Sequence, residues 1–152
     1  MEMKDVIISI TGLQGPEEDE KDAVELSTDG EYCFSGDEAL FSYMESELTG
    51  LEGTRTSFSV GPQSVVMSRE GNLNSRMIFE EGKKHLFMYE TPVGAVTMGV
   101  KTQKILNRLG EHGGDVEIDY VLDFDHVIVG RNKFKINVRE QSRGMRRSFF
   151  PQ

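Results

Sequence analysis

The sequence predicts an all-β fold, an antiparallel up-and-down meander closed into a β-barrel. Three observations predict it. Turn signals built on Gly, Pro, Asn and Asp arrive about every eight to twelve residues, the spacing of β-sandwiches and barrels. Between them, apolar and polar residues alternate with the period of a strand that buries one face. The one stretch with helical signals, residues 102–109, is read as strand to about Leu106 and then loop in preference to a short helix. About ten strands result, and closure into a barrel is preferred over an aligned two-sheet sandwich because it removes exposed edges.

In chain order, residues 5–11 place Val6, Ile8 and Ile10 on one face and Ser9 and Thr11 on the other. The segment GPEEDEKD, residues 15–22, is expected to be a solvated loop, because its crowded carboxylates repel one another. Alternation resumes over residues 23–27 through Val24 and Leu26, and Asp29-Gly30 is read as a turn before a further strand over 31–35. After Gly36-Asp37, residues 39–45 are two-sided, with Leu40 and Met44 opposing Phe41 and Tyr43. Residues 49–53 form a loop. Thr56, Phe58 and Val60 then share a face; Val65 and Met67 follow over 64–69, and Met77 and Phe79 over 75–80.

The organising element is residues 84–104, KHLFMYETPVGAVTMGVKTQK, two long strands joined at Thr91-Pro92-Val93-Gly94. Proline presets φ there, and Gly94 accepts a conformation that side chains resist. The second strand is expected to run to about Leu106, with a loop over 111–114 after it. Residues 115–124 carry the clearest pattern, with Val116, Ile118, Tyr120, Leu122 and Phe124 against Glu117, Asp119 and Asp123. Residues 127–129, a turn at Gly130-Arg131-Asn132, and a last strand through Phe134, Ile136 and Val138 complete the sheet. One barrel domain over residues 1–140 and a basic, flexible tail over 141–152 are expected.

A chain of 152 residues can bury a proper core. The net charge of −9 is uneven: residues 15–52 hold 13 acids against the single Lys21, whereas residues 53–152 hold 15 basic and 11 acidic side chains. A broad basic face is therefore missing and nucleic-acid binding is disfavoured, since phosphate contacts need a Lys/Arg surface. No apolar run has bilayer length, so no membrane span is expected. The start, MEMKDVIISITG, does not read as a secretory signal, and the lone Cys33 cannot form an internal disulfide; both point to the cytoplasm.

Signatures of catalysis and of cofactor binding are missing: no Gly-x-Ser-x-Gly elbow, no phosphate-cradling Gly-rich loop and no Cys pair for zinc. His85, His112 and His126 are scattered. No cofactor and no metal are expected. More informative are polar residues whose parity groups them with apolar ones. Tyr120 shares the face of Ile118 and Leu122; Thr102 continues that of Val96 to Val100; Arg69 follows Val65 and Met67. Tyr43 and Glu45 go with Phe41, and Tyr89 with Phe87. A charge placed inside needs compensation, and Glu45 is the natural partner for Arg69. The interior of a small barrel is either filled or keeps room for one ligand.

Ser42-Tyr43-Met44-Glu45-Ser46, Arg69-Glu70-Gly71, Phe79-Glu80-Glu81-Gly82, Tyr89-Glu90-Thr91-Pro92-Val93-Gly94, Thr102, Gly113-Gly114 and Tyr120 resemble, in that order, the pattern of the small bacterial YwiB-like family of unknown function. The resemblance spans roughly residues 4–140. It implies a lipocalin-like, or calycin-like, β-barrel in the bacterial cytoplasm, and it implies no known activity. The chain has no tryptophan and so lacks the Gly-x-Trp of true lipocalins, whose ligands are not implied.

Two functional classes lead, and a third ranks behind them. The leading one is a non-enzymatic barrel holding a small, partly apolar ligand, with Tyr43, Glu45, Arg69, Tyr89, Thr102 and Tyr120 as polar contacts. The other is an interaction module that meets a protein partner, or a second copy as a homodimer, through its outer face, its acidic loop or its basic tail. An enzyme using Glu45 and Arg69 as an acid/base and electrophile pair ranks third, because it needs a perturbed carboxylate in an open cleft.

Overall fold

The computed structural model describes residues 3–14, 24–91 and 94–141. The acidic segment 15–22, the Pro92-Val93 centre of the long hairpin and the tail from residue 142 onward lie outside the described residues.

Ten strands follow one another: β1 (Lys4–Gln14), β2 (Val24–Ser35), β3 (Glu38–Met44), β4 (Thr54–Val60), β5 (Ser64–Gly71), β6 (Ser75–Glu80), β7 (Lys84–Thr91), β8 (Gly94–Gly110), β9 (Gly113–Phe124) and β10 (Val127–Glu140). They form a single sheet in the order β6-β5-β4-β3-β2-β1-β10-β9-β8-β7, with every ladder antiparallel. Each strand but one pairs with its successor, and β1 pairs with β10 over nine positions, from Val6↔Glu140 to Gln14↔Asn132. The sheet therefore wraps into the expected up-and-down barrel. Its seam lies between β6 and β7, which follow one another in sequence but share no ladder. Backbone bonds stitch the closed end of the seam, Gly82 N–H to the Thr102 carbonyl (2.9 Å) and Thr102 N–H to the Lys83 carbonyl (3.2 Å).

Three local expectations are corrected. Asp29-Gly30 is not a turn: β2 runs through it, with Asp29 opposite Ile7 and Gly30 opposite Val6. Glycine stands there because a Cβ would lie 2.4 Å from Ile8 Cδ1 and 2.6 Å from the Ser42 carbonyl oxygen. Its job is close approach of neighbouring strands. Likewise Gly130-Arg131-Asn132 is no turn but part of β10, where the register with β9 shifts between Ile128 and Gly130 in a β-bulge. The chain reverses earlier, at Asp125 and His126, whose φ of 53° and 67° are what a two-residue hairpin turn needs. Finally, β8 continues to Gly110, so its connection to β9 is just Glu111-His112 and not a longer loop. Long cross-strand ladders override weak local turn signals in all three places.

The barrel's two ends differ. Most fully buried side chains, among them Val6, Tyr32, Phe41, Phe79, Ile118 and Val138, lie between the strand midpoints and the end that carries the β2–β3, β4–β5, β6–β7 and β8–β9 connections. Phe41 stacks on Phe58 with ring centroids 4.9 Å apart, and the Tyr32 hydroxyl donates to the Gly110 carbonyl at 2.6 Å. That end is plugged. The opposite end, where β3 meets β4 through a 3₁₀ turn (Glu47–Thr49), is not. The turn is held by Ser46, which accepts from Leu48 N–H at 3.2 Å, and is stopped by Gly50 at φ 77°.

Candidate functional site

Antiparallel register brings the candidate side chains together. Across β3, β4, β5 and β6, Tyr43 lies opposite Thr56, Thr56 opposite Arg69, and Arg69 opposite Ser75. On the far wall, Tyr120 of β9 lies opposite Thr102 of β8 and Asn132 of β10. These rows ring the open half of the barrel around a cavity of about 520 Å³. Its walls are mostly apolar, from Ile10, Leu26, Phe58, Met67 and Phe134 among others, with Tyr43, Glu45, Arg69 and Tyr120, and also Thr49, Asn132 and Lys133, as polar members. A second cavity of about 320 Å³ adjoins it towards β6, β7 and β8. Met67, Arg69, Tyr120, Leu122 and Phe134 line both, so Arg69 and Tyr120 stand at the junction.

Glu45 is 7% exposed and well served. Its Oε2 accepts from Thr56 Oγ1 at 2.5 Å, its Oε1 from Thr49 Oγ1 at 3.0 Å, and its own backbone N–H donates to the Thr54 carbonyl at 2.9 Å. Arg69 is not so served. The expected ion pair with Glu45 does not form, and among the described residues Arg69 makes no ion pair. Its Nε is buried without a hydrogen-bond partner. The physical reason is the intervening strand: Thr56 stands between the two charges and takes the carboxylate oxygen that would have faced the guanidinium.

Electrostatics at the junction favour neutral phenols. Burial holds the Tyr43 hydroxyl well above the ordinary tyrosine range; the Glu45 carboxylate reinforces this and Arg69 opposes it. Burial does the same to Tyr120, again against the pull of Arg69. Both phenols are therefore hydrogen-bond donors at neutral pH.

Of the six residues singled out in the sequence, Tyr43, Glu45, Arg69 and Tyr120 line the larger cavity. Tyr89, 47% exposed, borders the smaller one. Thr102 is fully buried but lines neither cavity; its backbone stitches the seam and its Oγ1 has no partner. Sequence reasoning left out Thr56, Thr49 and Asn132. The parity of Thr56 with Phe58 was a usable signal; Thr49 and Asn132 sit in stretches read as loop and turn, where parity has no meaning. Of the five strand methionines, Met67, Met77 and Met98 border the cavities, whereas Met44 and Met88 are each 53% exposed. No group of three metal-ligating side chains occurs among the described residues.

A family model described as "Domain of unknown function (DUF1934)" matches residues 8–136. The chain belongs to the DUF1934 family. All six candidate residues fall within the span that matches the DUF1934 model. Among solved structures, this DUF1934 chain is similar to the crystal structure of ywiB protein from Bacillus subtilis. The TM-score is 0.77 at 18% identity, over 92% of this chain and 94% of that one. At that identity the likeness shows a common fold, the nearly closed ten-stranded barrel. Comparison with curated proteins gives no match. No helix among the described residues is long and apolar enough to cross a membrane.

Proposed function

We propose that this DUF1934 chain is a non-enzymatic, cytoplasmic binding protein that holds one small, partly apolar molecule in the open half of its barrel. The observation that carries the reading is the cavity of about 520 Å³, apolar over most of its wall and supplied with a few convergent polar side chains. Small-molecule sites have this volume and this balance of surfaces, roughly 300–1,000 Å³ with few polar groups. Arg69, Tyr43 and Tyr120 supply polar contacts from within and Tyr89 from the flank, while Glu45 holds the rim through Thr49 and Thr56. A carboxylate so fully engaged by hydroxyls is a poor general base, which sets the enzyme reading aside. Thr102 serves the site indirectly, by fixing the seam.

Native mass spectrometry of gently purified protein tests this, run before and after denaturation. A stoichiometric extra mass that disappears on unfolding is the expected result. A bare mass, together with no uptake from a panel of amphipathic small molecules, overturns it.

A second reading has its own observation. At the β9–β10 hairpin, Phe124, Val127, Ile128 and Val129 are 49–65% exposed, a concentration of large apolar side chains of the kind that marks contact surfaces. Under this reading the chain is an interaction module or homodimer, and light scattering on native protein and Ile128→Lys distinguishes a copy-to-copy contact from a monomer.

A further inference from the structure

We infer that the molecule held by the barrel is an amphipathic monocarboxylate, bound with its carboxylate on Arg69 and Tyr120 and its apolar part along the cavity wall. This rests on the binding reading above and adds the ligand's head group and its orientation.

The argument is an inventory of donors and acceptors facing the two cavities. The two carboxylates among the lining residues each accept hydrogen bonds. Glu45 takes Thr49 and Thr56, and Glu90 accepts from Asn74 N–H at 3.0 Å. Among the cations, Lys133 faces Asp119 at 3.5 Å. Arg69 alone carries a charge with a buried, unmatched Nε, and Tyr120 beside it donates to no described group. Arg69 and Tyr120 thus share the wall at the junction of the cavities, and the Arg69 Nε has nothing to accept from it. A buried polar group left in that state is costly, and a guanidinium more so than a neutral donor. An occupant that accepts hydrogen bonds from the part of the guanidinium that lines the cavity, and from Tyr120 beside it, offsets that cost.

Charge and shape narrow the acceptor. The planar guanidinium fork matches a planar carboxylate, which takes two parallel hydrogen bonds. Glu45 lines the same cavity and Lys133, which also lines it, faces Asp119, so the positive potential at the junction is mainly what Arg69 supplies locally. A dianion such as a phosphate monoester would leave charge uncompensated against apolar walls. A neutral alcohol or hydrocarbon would leave the guanidinium unmatched. Because Arg69 and Tyr120 line both cavities, the head group lies inside, at the junction, and not at the rim. Beyond it, Met77, Phe87 and Met98 border the smaller cavity. Methionines reshape readily around different guests, so one acid chain need not fit uniquely.

The experiment titrates full-length ¹⁵N-labelled protein with octanoate, 1-octanol and octyl phosphate, reading affinity from amide shifts of residues lining the cavities. Native protein is expected to bind octanoate at least about tenfold more tightly than 1-octanol, the scale of a charged hydrogen-bonded pair. In Arg69→Met, octanoate is expected to fall to the level of 1-octanol while 1-octanol itself is unchanged within about threefold. Tyr120→Phe removes one hydroxyl from an otherwise intact wall, and is expected to weaken octanoate by roughly three- to tenfold without affecting 1-octanol. Equal binding of octanoate and 1-octanol by native protein overturns the carboxylate assignment and leaves the binding reading standing. Tighter binding of octyl phosphate than of octanoate overturns the choice of head group. No shifts with any of the three at millimolar concentration overturn the binding reading itself, and the inference with it.

Discussion

Replacing Arg69 by methionine separates two meanings that an inward arginine can have. If it were one half of a core ion pair, its removal would strand Glu45 in the interior and cost about 3–5 kcal/mol. The geometry argues otherwise. Glu45 keeps its bonds to Thr49 and Thr56 when the guanidinium leaves, because neither bond involves Arg69. The attraction lost lies beyond ion-pair contact, so it is below the roughly 4 kcal/mol that two charges 4 Å apart exchange at an effective dielectric of 20. Partial exposure of Arg69 to the open cavity screens it further. Against that loss stands relief of a buried Nε with no partner, on the order of 1–3 kcal/mol, and methionine refills much of the space taken by the arginine stem. The net change in stability is expected to stay within about 1 kcal/mol of native. Urea unfolding followed by far-UV circular dichroism at neutral pH measures it, with an unchanged m-value as the sign that only stability moved. A loss of about 3 kcal/mol or more would show that Arg69 is a structural partner of the core, and the cavity argument would lose its main support.

Thr56→Val keeps shape and β-propensity but deprives the buried Glu45 carboxylate of its Oε2 donor, and is expected to destabilise by roughly 1.5–3 kcal/mol in the same urea assay. A change near zero would mean that water or another hydroxyl replaces Thr56 freely. For Gly30→Ala, a Cβ 2.6 Å from the Ser42 carbonyl oxygen cannot be relieved by a side-chain shift, so a loss of about 1–3 kcal/mol is expected. Adding Ile8→Val, which trims the Cδ1 atom 2.4 Å away, should recover only part of it. Alkaline titration addresses three of the four tyrosines. Burial raises Tyr43 and Tyr120 well above the ordinary range and Tyr32 to about 12. The folded chain then holds protons that the unfolded chain has released, so stability is expected to fall as pH rises above about 10, the ordinary tyrosine value. Tyrosinate absorbance should reach its full amplitude only as the barrel unfolds; full ionisation near pH 10 with native circular dichroism retained would contradict it.

How much of this was legible in the sequence depends on whether a feature is local. Strand parity was: Val6 and Ile8, Phe58 and Val60, Val65 and Met67, and Val116 and Ile118 face inward as their alternation requires, because a strand's side-chain period is set by the backbone itself. Parity also identified four polar residues that line the larger cavity, Tyr43, Glu45, Arg69 and Tyr120. Turn chemistry was legible only in part. Gly36-Asp37 does reverse the chain, yet Asp29-Gly30 and Gly130-Arg131-Asn132, which look no less like turns, are threaded through continuous strands. A glycine signals that a side chain would be in the way; it does not say whether the obstacle is a turn geometry or a neighbouring strand.

By itself, the sequence determined the class of fold, the approximate strands and which side chains are inward. Alternation and strand count are enough for these, because an antiparallel meander of about ten short strands must close or bury its edges. Only the tertiary structure decided that Arg69 and Glu45 do not pair, that Thr102 belongs to the seam, and that one end of the barrel is packed while the other is hollow. These follow from register across strands far apart in the chain. Whether Thr56 comes between two charges depends on how β3, β4 and β5 slide past one another, and whether an interior is filled depends on the volumes of side chains that meet across the barrel. Neither quantity is a property of any one strand.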